Sequence, residues 1–182
     1  MALLTLADAK QQLNIETAAN DTELQAYVDS LTAVIEGYVG PVENRGVTET
    51  VEGRGRYLCL LRPPVVTLTS LTPVLDGGSS LDVARLHVDG PSGVIRRLDG
   101  GLFSRGPWTA VYTAGRGSIP PTINLAARIL LQHLWRTQRG AARGGGPADD
   151  FSVTEPIPGF GYAVPNRVLQ LLESYKQPPG IA

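Results

Sequence analysis

Residues 117–140 read GSIPPTINLAARILLQHLWRTQRG. Pro120–Pro121 suits the first turn of a helix, where the missing N–H has no partner to lose. Ile123, Ala126, Ala127, Leu130, Leu131 and Leu134 then recur at helical spacing and make one wide apolar face. Leu125 and Ile129 widen it, which predicts burial on two sides. Asn124, Arg128, Gln132 and Arg136 form the narrow polar stripe. Such a helix needs apolar partners, and the residues just before it do not supply them. From Val47 to Tyr112 the pattern has period two and is broken by turn signals. VTETVE alternates, RYLCLL is short and apolar, and VVTLTSLTPV is rich in β-branched residues. LHVDGPSGVIRRL reads as two strands around a turn at Asp89–Gly93, and WTAVYTAG closes the series. Asp76–Gly78 and Asp99–Gly101 mark further turns. About six or seven short, mainly antiparallel strands are expected.

The helical partners come from the start of the chain. Thr5, with Asp8 three residues on, reads as a capping box for a short helix carrying Leu6, Ala9 and Leu13 on one face. Asn20 or Asp21 caps a second helix. Its apolar stripe is Leu24, Tyr27, Val28, Leu31, Val34, Ile35 and Tyr38; Gln25, Asp29, Thr32 and Glu36 lie opposite. Gly40 and Pro41 stop it. A final helix, PNRVLQLLESYK, presents Val168, Leu171, Leu172 and Tyr175. Helices on both sides of the strands can pack together only if the β section is an insertion. The expected fold class is therefore α+β: a small helical bundle with an inserted, mainly antiparallel β section and an extended C-terminal arm ending in a short helix. The parts are residues 1–45, the N-terminal helical part; 46–117, the β section; 118–139, the bundle helix; and 140–182, the arm and last helix.

Composition narrows the function. The chain has 182 residues, 42% hydrophobic, enough for a real core. No stretch reaches the roughly 20 apolar residues of a membrane span, and the N-terminus lacks the basic and long apolar regions of a signal peptide. Cys59 is the one cysteine, which excludes an internal disulfide. Its place in LCLL suggests a buried small hydrophobe and assembly in a reducing cytoplasm. The net charge of −1 argues against a dedicated DNA binder. That charge is uneven. Residues 1–45 hold seven acids against two bases, residues 46–148 twelve arginines against six acids, and residues 149–182 four acids against two bases. Such asymmetry suits head-to-tail pairing of copies, or simply two solvated faces of a monomer.

No catalytic constellation emerges. His87 falls in an expected strand and His133 in a helix, neither with a second ligand at metal spacing. There is no G-x-S-x-G elbow. RGGGPADD has no lysine and follows a helix, unlike a phosphate loop. Asp149 and Asp150 could bind a divalent ion, though two adjacent carboxylates in a glycine-rich loop are more often simply solvated. No cofactor, metal or catalytic residue is expected. The arginines Arg128, Arg136 and Arg139 could touch DNA phosphates, or pair with Asp29 and Glu36 of the same or a neighbouring subunit.

Residues 139–165, RGAARGGGPADDFSVTEPIPGFGYAVP, form a long glycine- and proline-rich arm. Phe151, Phe160 and Tyr162 lie in it, three of the eleven aromatics of the chain. A disordered tether usually avoids aromatics, so these suggest docking, either onto a partner or onto the chain's own core.

LADAKQQLNI and NDTELQAYVDSLTAVIEGYVG together resemble the opening of the head–tail connector (adaptor) family of long-tailed phages. The matching residues are Leu6, Lys10, Leu13, Asp21, Leu24, Ile35, Glu36, Tyr38 and Gly40. LRPPVVTLTSL is similar to the family's Pro-Val-x-x-Val-x-x-Val strand at Pro64, Val65, Leu68 and Leu71. WTAVYTAGRGSIPPTINLAARILLQHLWRTQRG resembles its V-x-Y-x-A-G segment and following helix through Val111, Tyr112, Ala114, Gly115, Pro120 or Pro121, Ile123 and Ala127. The resemblance implies a structural virion protein at the head–tail interface, assembled in the host cytoplasm. It would form a ring, typically a dodecamer, beneath the portal protein. The ring would extend the DNA channel without sequence-specific binding and seat the next neck or tail protein. It carries no catalytic residues over. Asp29, Glu36, Arg128, Arg136 and Arg139 become candidates for subunit interfaces or the lumen. Phe151, Ile157, Phe160, Tyr162, Pro165, Leu172 and Tyr175 become candidates for docking on the portal or a neighbour, with the arm and last helix reaching off the bundle as a clasp. The alternative is a β-domain binding module of a phage tail, of low oligomeric order, with Tyr57, Trp108 and Tyr112 in a groove.

A clasp that orders only on assembly predicts cleavage by limited proteolysis near Gly144–Gly146 in the isolated chain and protection in the assembled state. Equal cleavage in both states would contradict it.

Overall fold

The computed structural model describes residues 2–75, 78–103, 106–139 and 164–177. The chain divides into two compact units, Gly40–Ser118 and the combination of Ala2–Val39 with Ile119–Ala182. The second unit is helical. Helix α1 (Leu6–Leu13) opens on Thr5, whose hydroxyl accepts from the Asp8 N–H at 3.1 Å, while the Asp8 carboxylate accepts from the Thr5 N–H at 3.1 Å. This reciprocal pair satisfies two otherwise orphaned donors. The helix ends with Asn14 in the left-handed region (φ 54°), where the Asn14 and Ile15 N–H groups close onto Gln11 and Lys10 carbonyls. Lys10 Nζ then reaches Asp21 Oδ1 at 2.7 Å and ties α1 to the first turn of α2 (Asp21–Val39).

Helix α2 buries Leu24, Val28, Leu31, Ile35 and Val39, one residue per turn along one stripe. Helix α3 (Pro121–Arg139) buries Ile123, Ala126, Ala127, Leu130 and Leu131. The expectation of burial on two sides is corrected. Leu125 is 45% exposed, because it sits about 200° around the axis from Ile123 and faces away from the stripe. Tyr27 and Trp135 meet edge to face, with ring centroids 6.0 Å apart. Helix α4 (Asn166–Leu172) continues into a 3-10 turn at Glu173–Tyr175 and buries Val168 and Leu172.

Among the described residues, the Gly40–Ser118 unit holds seven strands in two antiparallel sheets. The first, in the order β1–β7–β4, joins β1 (Arg45–Val51), β7 (Trp108–Ala114) and β4 (Val65–Pro73). The second, in the order β2–β3–β6–β5, joins β2 (Gly53–Arg54), β3 (Tyr57–Cys59), β6 (Val94–Arg97) and β5 (Leu86–Asp89). The central strand β7 alternates strictly, with Trp108, Ala110, Tyr112 and Ala114 buried. These residues join Val47, Leu58, Leu71, Ile95 and Phe103 in one core. Edge strand β4 loses register with β7 twice, between Val65 and Thr67 and between Leu68 and Ser70.

Cys59 corrects the sequence reading. The run RYLCLL looks uniformly apolar, but its backbone is extended. Leu58 and Leu60 therefore point in, and Tyr57 and Cys59 point out.

The close of β7 depends on Gly115. Its φ is +137°, and a Cβ there would lie 2.4 Å from Asn44 Oδ1 and 2.9 Å from the Glu43 carbonyl oxygen. Asn44 Oδ1 is itself held, accepting from the Gly117 N–H at 2.9 Å. Gly115→Ala is expected to cost about 1–3 kcal/mol, the range for a non-glycine residue forced into sparsely populated backbone space. A lowered midpoint in denaturant unfolding would register it; an unchanged midpoint would contradict it.

Candidate interaction surfaces

Among the described residues, no group of three His, Cys, Asp or Glu side chains is placed to hold a metal ion. A cavity of about 370 Å³ is lined by Ser80, Leu81, Asp82, Arg85, Leu86, Arg97 and Asp99. Two of its acids are already engaged. Asp82 Oδ1 accepts from the Ala84 N–H at 3.0 Å. Asp99 takes Arg97 Nε at 3.0 Å and Nη2 at 2.6 Å, and also the Gly101 N–H at 2.8 Å. The guanidinium pulls the Asp99 carboxyl down to about 2, so this pair stays ionised across the physiological range. His87 is exposed on β5. His133 is half-buried in α3, and burial lowers its pKa, which favours the neutral ring at pH 7.

The helical unit shows where the charged candidates lie. Arg128 pairs with neither Asp29 nor Glu36. Its Nη2 reaches Asp8 Oδ1 at 2.9 Å, and its Nε donates to Asn124 Oδ1 at 2.9 Å. Asn124 in turn donates to the Leu3 carbonyl at 2.8 Å. The polar stripe of α3 is thus used to hold the N-terminal segment of the same unit. Asp29 is exposed and accepts from the Gln25 amide at 2.8 Å; Glu36 is half-buried on the same helix. Arg136 is exposed, and Arg139 is the last residue of α3.

The docking candidates divide as sharply. Phe151, Ile157, Phe160 and Tyr162 lie outside the described residues. Pro165 is buried and its carbonyl accepts from the Val168 N–H, starting α4. Leu172 is 2% exposed. The Tyr175 hydroxyl lies 2.9 Å from the Thr122 hydroxyl. Tyr38 of α2 donates to Glu173 Oε2 at 2.6 Å, and Lys176 sits 5.4 Å from the Tyr38 ring centroid. Burial and the Glu173 carboxylate raise the Tyr38 pKa, and the tyrosine hydrogen bond lowers that of Glu173. Gln177 closes the segment with bonds to the Tyr38 and Val39 carbonyls. The last helix therefore does not reach off the bundle. Its apolar face is consumed by its own unit, because Val168 and Leu172 fall on the side that faces α2 and α3.

Of the aromatic groove candidates, Trp108 and Tyr112 are core residues. The Tyr112 hydroxyl donates to Glu49 Oε1 at 3.0 Å, and burial raises its pKa. Tyr57 alone is exposed, at 57%, on the outer face of the four-stranded sheet. That face was missed as a unit in the sequence. Its signal was the alternation in RYLCL, LHVD and VIRRL, read together.

The head completion protein family model matches residues 2–177. The fold is similar to that of a chain in the neck of an empty GTA particle computed with C6 symmetry. The TM-score is 0.63 with 22% identity, covering 98% of this chain and 92% of that one. It is also similar to a chain in the neck of a native GTA particle computed with C12 symmetry, with TM-score 0.60, 22% identity and coverage of 98% and 91%. A third likeness is to a chain of the virion of a native gene transfer agent (GTA) particle, with TM-score 0.61, 20% identity and coverage of 98% and 92%. No curated protein matches at a significant level.

Asp8 gives a pH test of the helical unit. The hydrogen bonds from Thr5, then the Arg128 charge, hold its pKa below the usual 3.8. A depressed folded-state pKa means stability that is present above about pH 4 and is lost as pH falls through the folded value. Asp8→Asn is expected to lower the thermal midpoint at pH 7 and to flatten its decline below pH 4. A variant with an unchanged acid limb would show that the pair contributes nothing.

Proposed function

Because the chain belongs to the head completion protein family, we propose that it is a structural subunit of the head–tail neck of a tailed phage or phage-like particle. In this reading twelve copies form a ring beneath the portal protein. The ring extends the DNA channel and seats the next neck or tail protein, in the virion at the head–tail interface. The observation that carries the reading is the family match over residues 2–177, nearly the whole chain. The likeness in fold to chains of necks computed with C6 and with C12 symmetry supports a ring, and the second is compatible with twelve copies.

The physical character of the chain suits this role. A closed ring needs two different side surfaces on each copy. Residues 2–39 carry six acids and one lysine, whereas Gly40–Ser118 carries nine arginines and seven acids. Opposite charge on two parts of one chain steers copies head to tail. A channel through which DNA slides must not grip it, since each neutralised phosphate adds salt-dependent affinity. A net charge of −1 over 182 residues meets that requirement. The role is one of surfaces, without catalysis. With α4 fixed to its own bundle, docking on the portal or a neighbour falls to residues 140–163, where Phe151, Ile157, Phe160 and Tyr162 are the candidate anchors.

Native mass spectrometry of the chain, alone and mixed with its portal protein, tests this directly. A twelve-copy species, alone or on the portal, is the expected result. A chain that stays monomeric and never joins the portal would overturn the reading.

A further inference from the structure

The outer face of the β2–β3–β6–β5 sheet carries a row that no part of the fold explains. Directly opposed residues in an antiparallel sheet share a face. Tyr57 stands opposite Arg96, and Arg96 opposite His87. One step along, Cys59 stands opposite Val94, and Val94 opposite Asp89. Beyond the end of β6 the ladder continues, the Leu98 N–H bonding the Arg85 carbonyl, and Leu98 is 63% exposed. The inward-pointing residues of the same strands, Leu58 and Ile95, are fully buried.

Arg85 and Arg96 form no ion pair among the described residues, and the Arg97–Asp99 pair closes on itself. Asp89 shares the face and keeps its charge while accepting from Ser92, so the face carries both signs, with Arg96 free to take a carboxylate. Tyrosine and arginine, the pair that this face presents together, are among the residue types enriched in protein-binding hot spots. A face that only followed phosphates would need the arginines but not Tyr57, Val94 and Leu98.

Helix α2 carries the complement. Its exposed side holds Ala26, Ser30, Ala33 and Gly37 at a spacing of four, three and four, one stripe of small residues. Asp29 flanks that stripe, exposed, its carboxylate bonded among the described residues to the neutral Gln25 amide. Small side chains let protruding ones approach the helix backbone, and the flanking carboxylate offers arginine a partner.

We propose that the outer sheet face of one copy seats on the α2 stripe of the next. Tyr57 and Leu98 lie over the small residues and Arg96 lies beside Asp29. The pairing rests on the ring reading above and names the two side surfaces that close the ring.

Charge exchange tests it on the full-length chain. Arg96→Glu and Asp29→Arg should each raise the concentration at which the chain oligomerises by about ten-fold or more, as close interfacial charge pairs do. The double variant, with the charges exchanged, should recover most of that loss. Both side chains are exposed or unpaired, so thermal midpoints should stay at the wild-type value; if Arg96→Glu fails to fold, Arg96→Gln should show an intermediate weakening. Cys59, the one thiol, gives a second reading: a maleimide should label it rapidly in the monomer and slowly in the oligomer. Wild-type rings with unaffected single variants, no recovery in the double variant, or equal labelling of Cys59 would overturn the pairing and leave the ring reading standing. Protection of monomeric Cys59 by duplex DNA would assign the face to nucleic acid and overturn it too. A wild-type chain that never oligomerises, even with the portal, would remove both.

Discussion

The helical unit depends on one long-range event. The apolar stripe of α3, Ile123 to Leu131, must be covered by residues that precede the β section, and the chain between α2 and α3 runs from Gly40 to Pro120. Closing a segment of that length costs conformational entropy, though the cost grows only logarithmically with length. The contacts that offset it are specific. Leu24, Val28, Leu31 and Ile35 supply burial, Asn124 holds the Leu3 carbonyl, and Arg128 holds Asp8. Burying a leucine-sized side chain is worth about 1.5–3 kcal/mol, so a stripe of this size outweighs the closure term. The inserted β section lowers that closure cost further if it is itself folded, since its ends are then no longer free.

Much of the fold was legible because local signals agreed with tertiary ones. The capping box at Thr5 and Asp8, the stop at Gly40–Pro41 and the proline start of α3 each had a local chemical cause, and each stands where the residues placed it. The alternation of WTAVYTA survives intact as the central strand. What failed was the reading of short apolar runs. RYLCLL and the extra leucine at 125 both look buried when hydrophobicity is counted, yet period decides the side. Cys59 and Leu125 fall on the wrong phase for the core. The division of the strands into two sheets was not legible, since it depends on which distant strands pair.

The surfaces were less readable than the core, for a related reason. Arg128 belongs to a polar stripe that looked available to a neighbour or to DNA, but stripe position gives only direction. Its partner, Asp8, lies 120 residues away in sequence and is found by the fold alone. The same holds for Tyr38, whose ring lies under Lys176 and whose hydroxyl donates to the Glu173 carboxylate. Conversely, the row Tyr57–Arg96–His87 is assembled from three strands, none of which looks unusual alone. In both directions, a side chain's role was set by cross-chain register and not by its own segment.

Strand β4 has a bearing on how copies of this chain can safely crowd together. It is nine residues long, it lies at the edge of its sheet, and its sequence VVTLTSLTP is of the kind that joins other strands readily. The two slips of register against β7 interrupt the even spacing of the strand, and the Leu71 carbonyl on its outer side already accepts from the Leu81 N–H. A foreign strand laid along it could not form a continuous ladder. Molecules held at very high local concentration are thereby steered away from open-ended fibrillar growth, and side-chain surfaces are left to decide where association stops.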